Sequence, residues 1–117
     1  MGVGRSDHSQ TREKIEKLGR RYLELKLDMG ENTTPELVVQ KTVEQFGKVD
    51  ILVNAAGITR RVMAIDISRK DWQDVLDVNL TALFFMCQAV ARQFIKQGGG
   101  GKIINIGSMT PIRAALR

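Results

Sequence analysis

The chain has 117 residues, of which 43% are hydrophobic, and this length and composition are those of one globular domain with its own core. Its formal net charge is +5, but the basic residues near the N-terminus are interleaved with Glu13, Glu16 and Glu24, so we expect a solvated helix face and no nucleic-acid partner. The longest apolar run, residues 82–87, is far shorter than the roughly 18 residues that cross a bilayer. The N-terminus is polar, and we therefore expect a cytoplasmic protein with no membrane partner. We also expect no metal site.

The first third of the chain predicts a helix, a strand and a second helix. Thr11 can cap a helix that ends at Gly19, and residues 23–27 then alternate between apolar and charged side chains, which is typical of a strand buried on one face. Thr34 followed by Pro35 predicts the start of the second helix, which ends at Gly47. The apolar face of that helix carries Val39, Val43 and Phe46.

The rest of the chain predicts strand, helix and strand. The run Ile51, Leu52, Val53 is continuously apolar, which favours a central parallel strand covered on both faces. Ser68 resembles the cap of a helix that continues to the glycines at 98–101, and a strand follows over residues 102–107. The inward face of this helix is predicted to carry Trp72, Val75, Leu76, Leu80, Leu83, Phe84, Cys87, Val90, Phe94 and Ile95, with Cys87 as a buried structural thiol.

Alternating strands and helices predict an α/β fold, a three-layer parallel sheet with right-handed crossovers. Ligands of such sheets bind beyond the carboxyl ends of the strands. Asp28, residues 54–57 and Ser108 each follow a predicted strand at that position. Turns also favour Asp, Asn, Gly and Ser, so each of these residues could by itself serve only the turn.

The stretches DILVNAAG, DVNL and GKIINIGS, in this order and spacing, resemble the middle of a short-chain dehydrogenase/reductase. The resemblance covers nearly the whole chain. GITRR and the segment from LFFMC to IGSM are most similar to the sugar-acid branch of that family, the gluconate and 2-keto-3-deoxygluconate 5-dehydrogenases. The resemblance implies a partial Rossmann-like sheet. It also implies an enzyme that interconverts a secondary alcohol and a ketone with NAD or NADP, acting on a small-molecule sugar acid.

The resemblance also implies roles on the cofactor side. Asn54 would stabilise the sheet, and the backbone of Asn54, Ala55, Ala56 and Gly57 would line the adenosine end of the cofactor. Ala55 departs from the family, which usually has a second Asn there. Asp28 matches the acid that contacts the adenine.

Two further residues match catalytic positions of the family. Asn79 corresponds to a helical asparagine whose backbone holds a water of the proton relay, although an ordinary helical Asn is the simpler alternative. Ser108 would hydrogen-bond the reacting oxygen, where charge grows in the transition state. A serine also needs an acid/base partner, which in the family is the Tyr of a Tyr-x-x-x-Lys motif. Tyr22 has Lys26 at that spacing but precedes Ser108, so we interpret it as a packing residue.

The opening GVGRS fits the end of the family's second strand rather than a glycine-rich phosphate loop. Arg5 would then favour the 2′-phosphate of NADP, while the nearby Asp7 leaves NAD open. We therefore expect residues 1–117 to form a single incomplete dinucleotide-binding domain that lacks the first strand and the C-terminal half, as a segment of a homo-oligomeric enzyme and inactive alone. The alternative is a non-catalytic remnant that associates with a related full-length subunit.

Overall fold

The computed structural model describes residues 1–107. Strands and helices alternate along this part of the chain, as the sequence predicts. The elements are β1 (Gly2–Gly4), α1 (Ser9–Lys17), β2 (Glu24–Lys26), α2 (Thr34–Phe46), β3 (Ile51–Asn54), α3 (Arg69–Leu76), a π-helical segment (Asp77–Thr81), α4 (Ala82–Gln97) and β4 (Lys102–Asn105).

The strands of residues 1–107 form two separate parallel pairs. β1 pairs with β2, and Val3 lies opposite Leu25; β3 pairs with β4, and Val53 lies opposite Ile104. The α/β class with parallel strands and flanking helices is therefore confirmed. The two pairs are separated by a cavity of about 700 Å³, here called the inter-sheet cavity, which both β1 and β3 line.

The core lies where α2 and α4 pack together. Val38, Val49, Met86 and Val90 form its buried centre, and side chains from all of the first three strands pack around it. The predicted apolar face of α2 is thus correct but is centred on Val38. A left-handed Gly47 ends the helix (φ 89°), a conformation that glycine adopts without steric cost.

β3 is covered on one face only, contrary to the expectation of a doubly covered strand. Its exposure alternates, with Ile51 61% and Val53 54% exposed while Leu52 and Asn54 are half-buried. α4 packs against β3, and no helix of residues 1–107 covers the opposite face. A continuous apolar run shows that both faces are suited to burial, but the neighbouring elements decide whether both are buried.

Three further local predictions are corrected. α1 begins at Ser9 rather than at Thr11. Thr33 occupies the N-cap position of α2 without a side-chain cap hydrogen bond, which leaves Thr34 inside the helix. The Thr34 hydroxyl instead donates to the backbone carbonyl of Asp28 at 2.7 Å, which ties the start of α2 to the end of β2. Cys87 is half-buried rather than buried.

The long helical stretch Arg69–Gln97 turns only part of its predicted apolar face inward. Met86, Ala89 and Val90 are buried, whereas several predicted inward residues are exposed, namely Trp72, Leu80, Phe84 and Ile95. By length and composition this helix could cross a membrane, a test that core helices of water-soluble proteins also pass. Its packing against α2 accounts for the inner part of the apolar surface.

Candidate functional site

Arg5 and Asp28 lie side by side beyond the carboxyl ends of the first sheet. Gly4 pairs with Lys26 in the parallel ladder, so the residues that follow the two strands leave the sheet together. Arg5 Nη1 lies 3.8 Å from Asp28 Oδ2, and the other carboxylate oxygen accepts a hydrogen bond from the amide of Gly30 at 2.9 Å. Asp28 is therefore oriented by its own turn, while the longer Arg5 side chain, 71% exposed, is free to meet a ligand.

Asn79 lies in the middle of the π-helical segment that joins α3 to α4. Its Oδ1 accepts from the amide of Ile58 at 2.8 Å, and its Nδ2 donates to the carbonyl of Ile58 at 2.8 Å. The side-chain amide thus satisfies both polar groups of one backbone residue, which fixes the loop after β3. Short π-helical insertions in α-helices are frequent at functional sites.

The loop residues 54–57 follow β3 at the same edge. Asn54 Nδ2 donates to Asn105 Oδ1 at 2.9 Å and to Cys87 Sγ at 3.3 Å, so this side chain joins β3, β4 and α4. A Cβ at Gly57 would lie 3.4 Å from Asn79 Oδ1, in van der Waals contact with it. The backbone at Gly57 therefore passes beside the Asn79 side chain.

A polar cavity of about 300 Å³, here called the carboxyl-end cavity, unites part of the predicted set. It is lined by Arg5 and Asp28 from the first sheet and by Ile58 from the loop that Asn79 holds. Ala55 and Ala56 instead line the inter-sheet cavity, and Ser108 lies outside the described residues. The structure therefore brings Arg5 and Asp28 together, and Asn79 together with Gly57, but leaves the serine undetermined.

Sequence reasoning missed the apolar wall of the carboxyl-end cavity. Ile58 and Val78 line it, and each is the direct neighbour of a predicted residue, Gly57 or Asn79. The signal available in the sequence was that each of these two residues directly adjoins a predicted site residue. A cavity that combines apolar side chains with a carboxylate and a guanidinium suits a flat heteroaromatic ring carrying a polar edge.

Arg60, also missed, fastens the far part of the loop to α3. Its Nε lies 3.2 Å from Asp71 Oδ1 and its Nη2 lies 3.6 Å from Asp74 Oδ2. The Ser68 hydroxyl and then the Arg60 guanidinium hold the pKa of Asp71 below its usual value, although burial acts in the opposite direction. Ser68 also accepts from the Asp71 amide at 3.0 Å, so the predicted helix cap is confirmed.

Tyr22 lies at the opposite end of the first sheet. Its hydroxyl is 3.1 Å from His8 Nδ1, and a Cβ on Gly2 would overlap it. Burial, and then the charge of Glu24, raise the pKa of Tyr22 above its usual value. A raised pKa is the reverse of what a catalytic tyrosine base requires at neutral pH, so these contacts support packing. Within residues 1–107, no group of three or more His, Cys, Asp or Glu side chains could hold a metal ion.

Comparison with known proteins places this geometry in context. A model of the family described as short chain dehydrogenase matches residues 1–114. The 2-dehydro-3-deoxy-D-gluconate 5-dehydrogenases of Dickeya dadantii (strain 3937) and Escherichia coli (strain K12) are 51% and 43% identical to the chain over 117 residues. These matches cover 100% of the chain and 46% of each relative, so the chain spans about half the length of these proteins.

A solved structure extends the likeness to the fold. The crystal structure of a short-chain type dehydrogenase/reductase from Mycobacterium marinum superposes with a TM-score of 0.87 at 27% identity, covering 94% of this chain and 45% of that one. The family model, the relatives and the superposition all span nearly the whole chain. The chain belongs to the short-chain dehydrogenase family.

Proposed function

We propose that the chain is a segment of an NAD(P)-dependent oxidoreductase that interconverts a secondary alcohol and a ketone on a sugar acid such as gluconate or 2-keto-3-deoxygluconate. The observation that carries the proposal is the carboxyl-end cavity, which Arg5 and Asp28 line together with the apolar Ile58 and Val78. The relatives that are 51% and 43% identical to this chain are named for a sugar-acid substrate, which supports the proposed substrate class.

The residues of the carboxyl-end cavity fit the adenosine end of a nicotinamide cofactor. Asp28 can accept a hydrogen bond from the exocyclic amine of adenine, and Ile58 and Val78 can cover the ring faces. When bound, the nicotinamide group supplies the hydride chemistry. This chain contributes the wall that positions the adenosine, together with the loop that Asn79 holds at both polar groups of Ile58.

Arg5 bears on the choice between the two cofactors. Its guanidinium is a planar donor that recognises phosphate well, so it favours the 2′-phosphate of NADP. In the structure Arg5 lies 3.8 Å from Asp28, and the two side chains are 71% and 46% exposed. A surface pair of this kind is worth about 0–1 kcal/mol, so a phosphate can displace it. NAD remains the other cofactor of the proposal.

The catalytic part of the proposal assigns Asn79 and Ser108. Ser108 donates a hydrogen bond to the reacting oxygen, and Asn79 holds a water of the proton relay through its backbone. The proton itself needs an acid/base residue, and Tyr22, the one tyrosine of the sequence, is engaged with His8 at the other end of the first sheet. We therefore expect the 117-residue chain alone to show no turnover of sugar acids with either cofactor. We also propose that the protein is cytoplasmic.

The test is a chemical-shift titration of the ¹⁵N-labelled 117-residue chain with 5′-AMP and with 2′,5′-ADP. The amides of Gly30, Ile58 and Val78 should shift with saturation. Asp28→Asn should weaken binding of 5′-AMP by about tenfold, the usual consequence of losing a charge-assisted hydrogen bond. Asp50→Asn is the matched control, since this carboxylate pairs with Lys48 at the other end of β3 and should have no effect.

Three results would count against the proposal. One is the absence of saturable shifts at these amides in a chain that circular dichroism shows to be folded. Another is an equal loss of 5′-AMP affinity in Asp28→Asn and Asp50→Asn. The third, turnover of a sugar acid by the chain alone, would overturn the assignment of the missing acid/base.

A second candidate is a non-catalytic chain that associates with a related full-length subunit. The exposed apolar side chains on the outer face of the long helix favour it, because Phe84 is 57% and Ile95 83% exposed. The same surface would serve a homo-oligomer of the enzyme. Light scattering on the chain alone and on its mixture with a purified full-length relative tests this candidate. A chain that stays monomeric at high concentration in both samples would contradict it.

A further inference from the structure

We propose that His8 is a positioning residue for Arg5, and that it sets how strongly the chain prefers a nucleotide carrying a 2′-phosphate. His8 does not line the carboxyl-end cavity, so it acts through the turn that joins β1 to α1. The inference rests on the proposed nucleotide site and deepens it, because it assigns the control of Arg5 to a residue outside that site.

The turn between β1 and α1 is short and carries Arg5 at its start. β1 ends at Gly4, Arg5 follows and lines the carboxyl-end cavity, and His8 is the N-cap residue of α1. Only residues 6 and 7 separate Arg5 from His8. Because so short a segment has little reach, the position of His8 restricts the path of the backbone at Arg5.

The His8 ring lies along β1, over strand positions that have no side chain. Gly2 and Gly4 are two residues apart in the strand and therefore share one face of it. A Cβ at Gly4 would lie 3.2 Å from His8 Nε2, and a Cβ at Gly2 would lie 2.9 Å from His8 Nδ1. The two glycines thus leave space for the ring, which reaches the residue directly before Arg5.

Two side chains at or just before the start of β2 hold His8 in this position. The Tyr22 hydroxyl lies 3.1 Å from His8 Nδ1, and Glu24 Oε1 accepts from the His8 amide at 3.0 Å. The other Glu24 oxygen accepts from Arg12 Nη2 at 2.9 Å, and the Glu24 side chain is only 9% exposed. Charge-assisted hydrogen bonds to a shielded carboxylate are strong, so His8 is fixed through its backbone as well as its ring.

Asp7, the acidic residue of the turn, is directed toward α1. Its Oδ1 accepts from the Ser9 amide at 3.1 Å, and its Oδ2 accepts from the Ser9 hydroxyl at 2.6 Å. These bonds from Ser9 hold the pKa of Asp7 below its usual value. Among residues 5–8, Arg5 lines the carboxyl-end cavity and Asp7 does not. A turn that is already fixed loses less conformational freedom when the Arg5 guanidinium binds a phosphate.

The test compares 5′-AMP with 2′,5′-ADP as ligands of the ¹⁵N-labelled 117-residue chain. Saturation of the shifts at the Gly30, Ile58 and Val78 amides gives both dissociation constants. In the parent chain 2′,5′-ADP should bind about tenfold more tightly, the gain from a charge-assisted hydrogen bond. His8→Ala should reduce this ratio to about threefold, because Arg5 must then be ordered on binding. The affinity for 5′-AMP, which lacks the 2′-phosphate, should not change.

A double-mutant cycle shows whether His8 acts through Arg5. Arg5→Ala should abolish the preference, and His8→Ala added to it should change neither affinity further. His8→Asn keeps a polar group near the position of Nδ1 and should restore most of the ratio. Tyr22→Phe removes only the hydroxyl and should lower the ratio about twofold. This last variant tests the anchor of His8 even if His8→Ala does not fold.

Glu13→Gln is the matched control, because this carboxylate pairs with Lys17 on the exposed side of α1 and its loss should leave the ratio unchanged. Equal loss of both affinities in His8→Ala would make His8 a structural residue only and overturn the inference. An effect of His8→Ala that persists beside Arg5→Ala would overturn it as well. Equal binding of the two ligands by the parent chain would overturn this inference alone, whereas binding of neither would overturn the proposed function with it.

Discussion

The packed helices and the open sheet of this molecule both carry large apolar side chains, but bury them to different extents. Between α2 and α4, Val38 is 5% exposed and both Met86 and Val90 are 2% exposed. On the uncovered face of the second sheet, Ile51 and Val53 remain more than half exposed, and so does Ile106 just beyond β4. The difference teaches that an apolar pattern states what a surface can bury, while the elements present decide what it does bury.

The carboxyl-end cavity depends less on whether the sheet is covered. Asp28 is oriented by the amide of Gly30, two residues away, and Ile58 is fixed by Asn79, through hydrogen bonds that do not involve the strand ladders. The carboxyl-end cavity is therefore organised even though the sheet beneath it is split. This is why nucleotide binding and catalytic turnover can be separated in the tests above.

The largest expected effect comes from the packed region. Met86→Ala should lower the free energy of unfolding by about 2–5 kcal/mol, because it leaves a cavity beneath both sheets. Ile51→Ala, on the uncovered face, should change it by no more than about 0.5 kcal/mol. Urea denaturation followed by circular dichroism measures both, and equal effects would remove the contrast between the two regions.

Sequence reasoning predicted the elements whose signals are local. The cap at Ser68, the stop at Gly47 and the parallel strand at 51–54 are confirmed because each depends on a few adjacent residues. The outward position of Trp72 and the open face of β3 were mispredicted because they depend on which elements pack nearby. No periodicity within one segment contains that information.

The candidate site shows the same division. Arg5 and Asp28 follow paired strands, so their meeting could be expected from the fold. The bond between Asn79 and the backbone of Ile58 could not, because it joins residues 21 positions apart through a π-helical turn that no sequence signal marked.

A smaller effect should follow from releasing the loop after β3. Asn79→Ala removes two hydrogen bonds to Ile58, which are worth together about 1–2 kcal/mol locally. The Ile58 amide should then exchange with solvent about tenfold faster, while amides of α2 keep their rates. Asn79→Asp retains the acceptor and should lose only part of the protection. Unchanged exchange at Ile58 in Asn79→Ala would show that the loop is held by other contacts.

The smallest effect concerns the start of α3. Ser68→Ala should lower the free energy of unfolding by about 1 kcal/mol at pH 7 through loss of the cap. Because Ser68 is the largest cause of the lowered pKa of Asp71, this pKa should rise toward its ordinary value in the variant. A carboxyl group whose pKa is lower in the folded state than in the unfolded state stabilises the folded protein at pH values above its unfolded-state pKa. This contribution is lost as the pH falls through its folded-state pKa.

The difference between Ser68→Ala and the parent chain should accordingly shrink between about pH 5 and about pH 2. NMR titration measures the pKa of the Asp71 carboxyl, and denaturation at both pH values measures the difference in the free energy of unfolding. Ser9→Ala is the control for the Asp71 titration, because this hydroxyl donates to Asp7, which precedes α1, and its loss should leave the pKa of Asp71 unchanged. A difference that grows as pH falls would contradict the assigned cause of the Asp71 pKa.

The most direct test of the division between packed helices and split sheet is native-state hydrogen exchange across residues 1–107 of the unliganded chain. Slow exchange is predicted for the amides of Leu52 and Asn54, which face β4, and for the helical amides around Met86. Fast exchange is predicted for Val3, Ile51 and Val53, which face the inter-sheet cavity. If Ile51 and Val53 exchange as slowly as Leu52 and Asn54, the two sheets are joined in solution and the division described here is wrong.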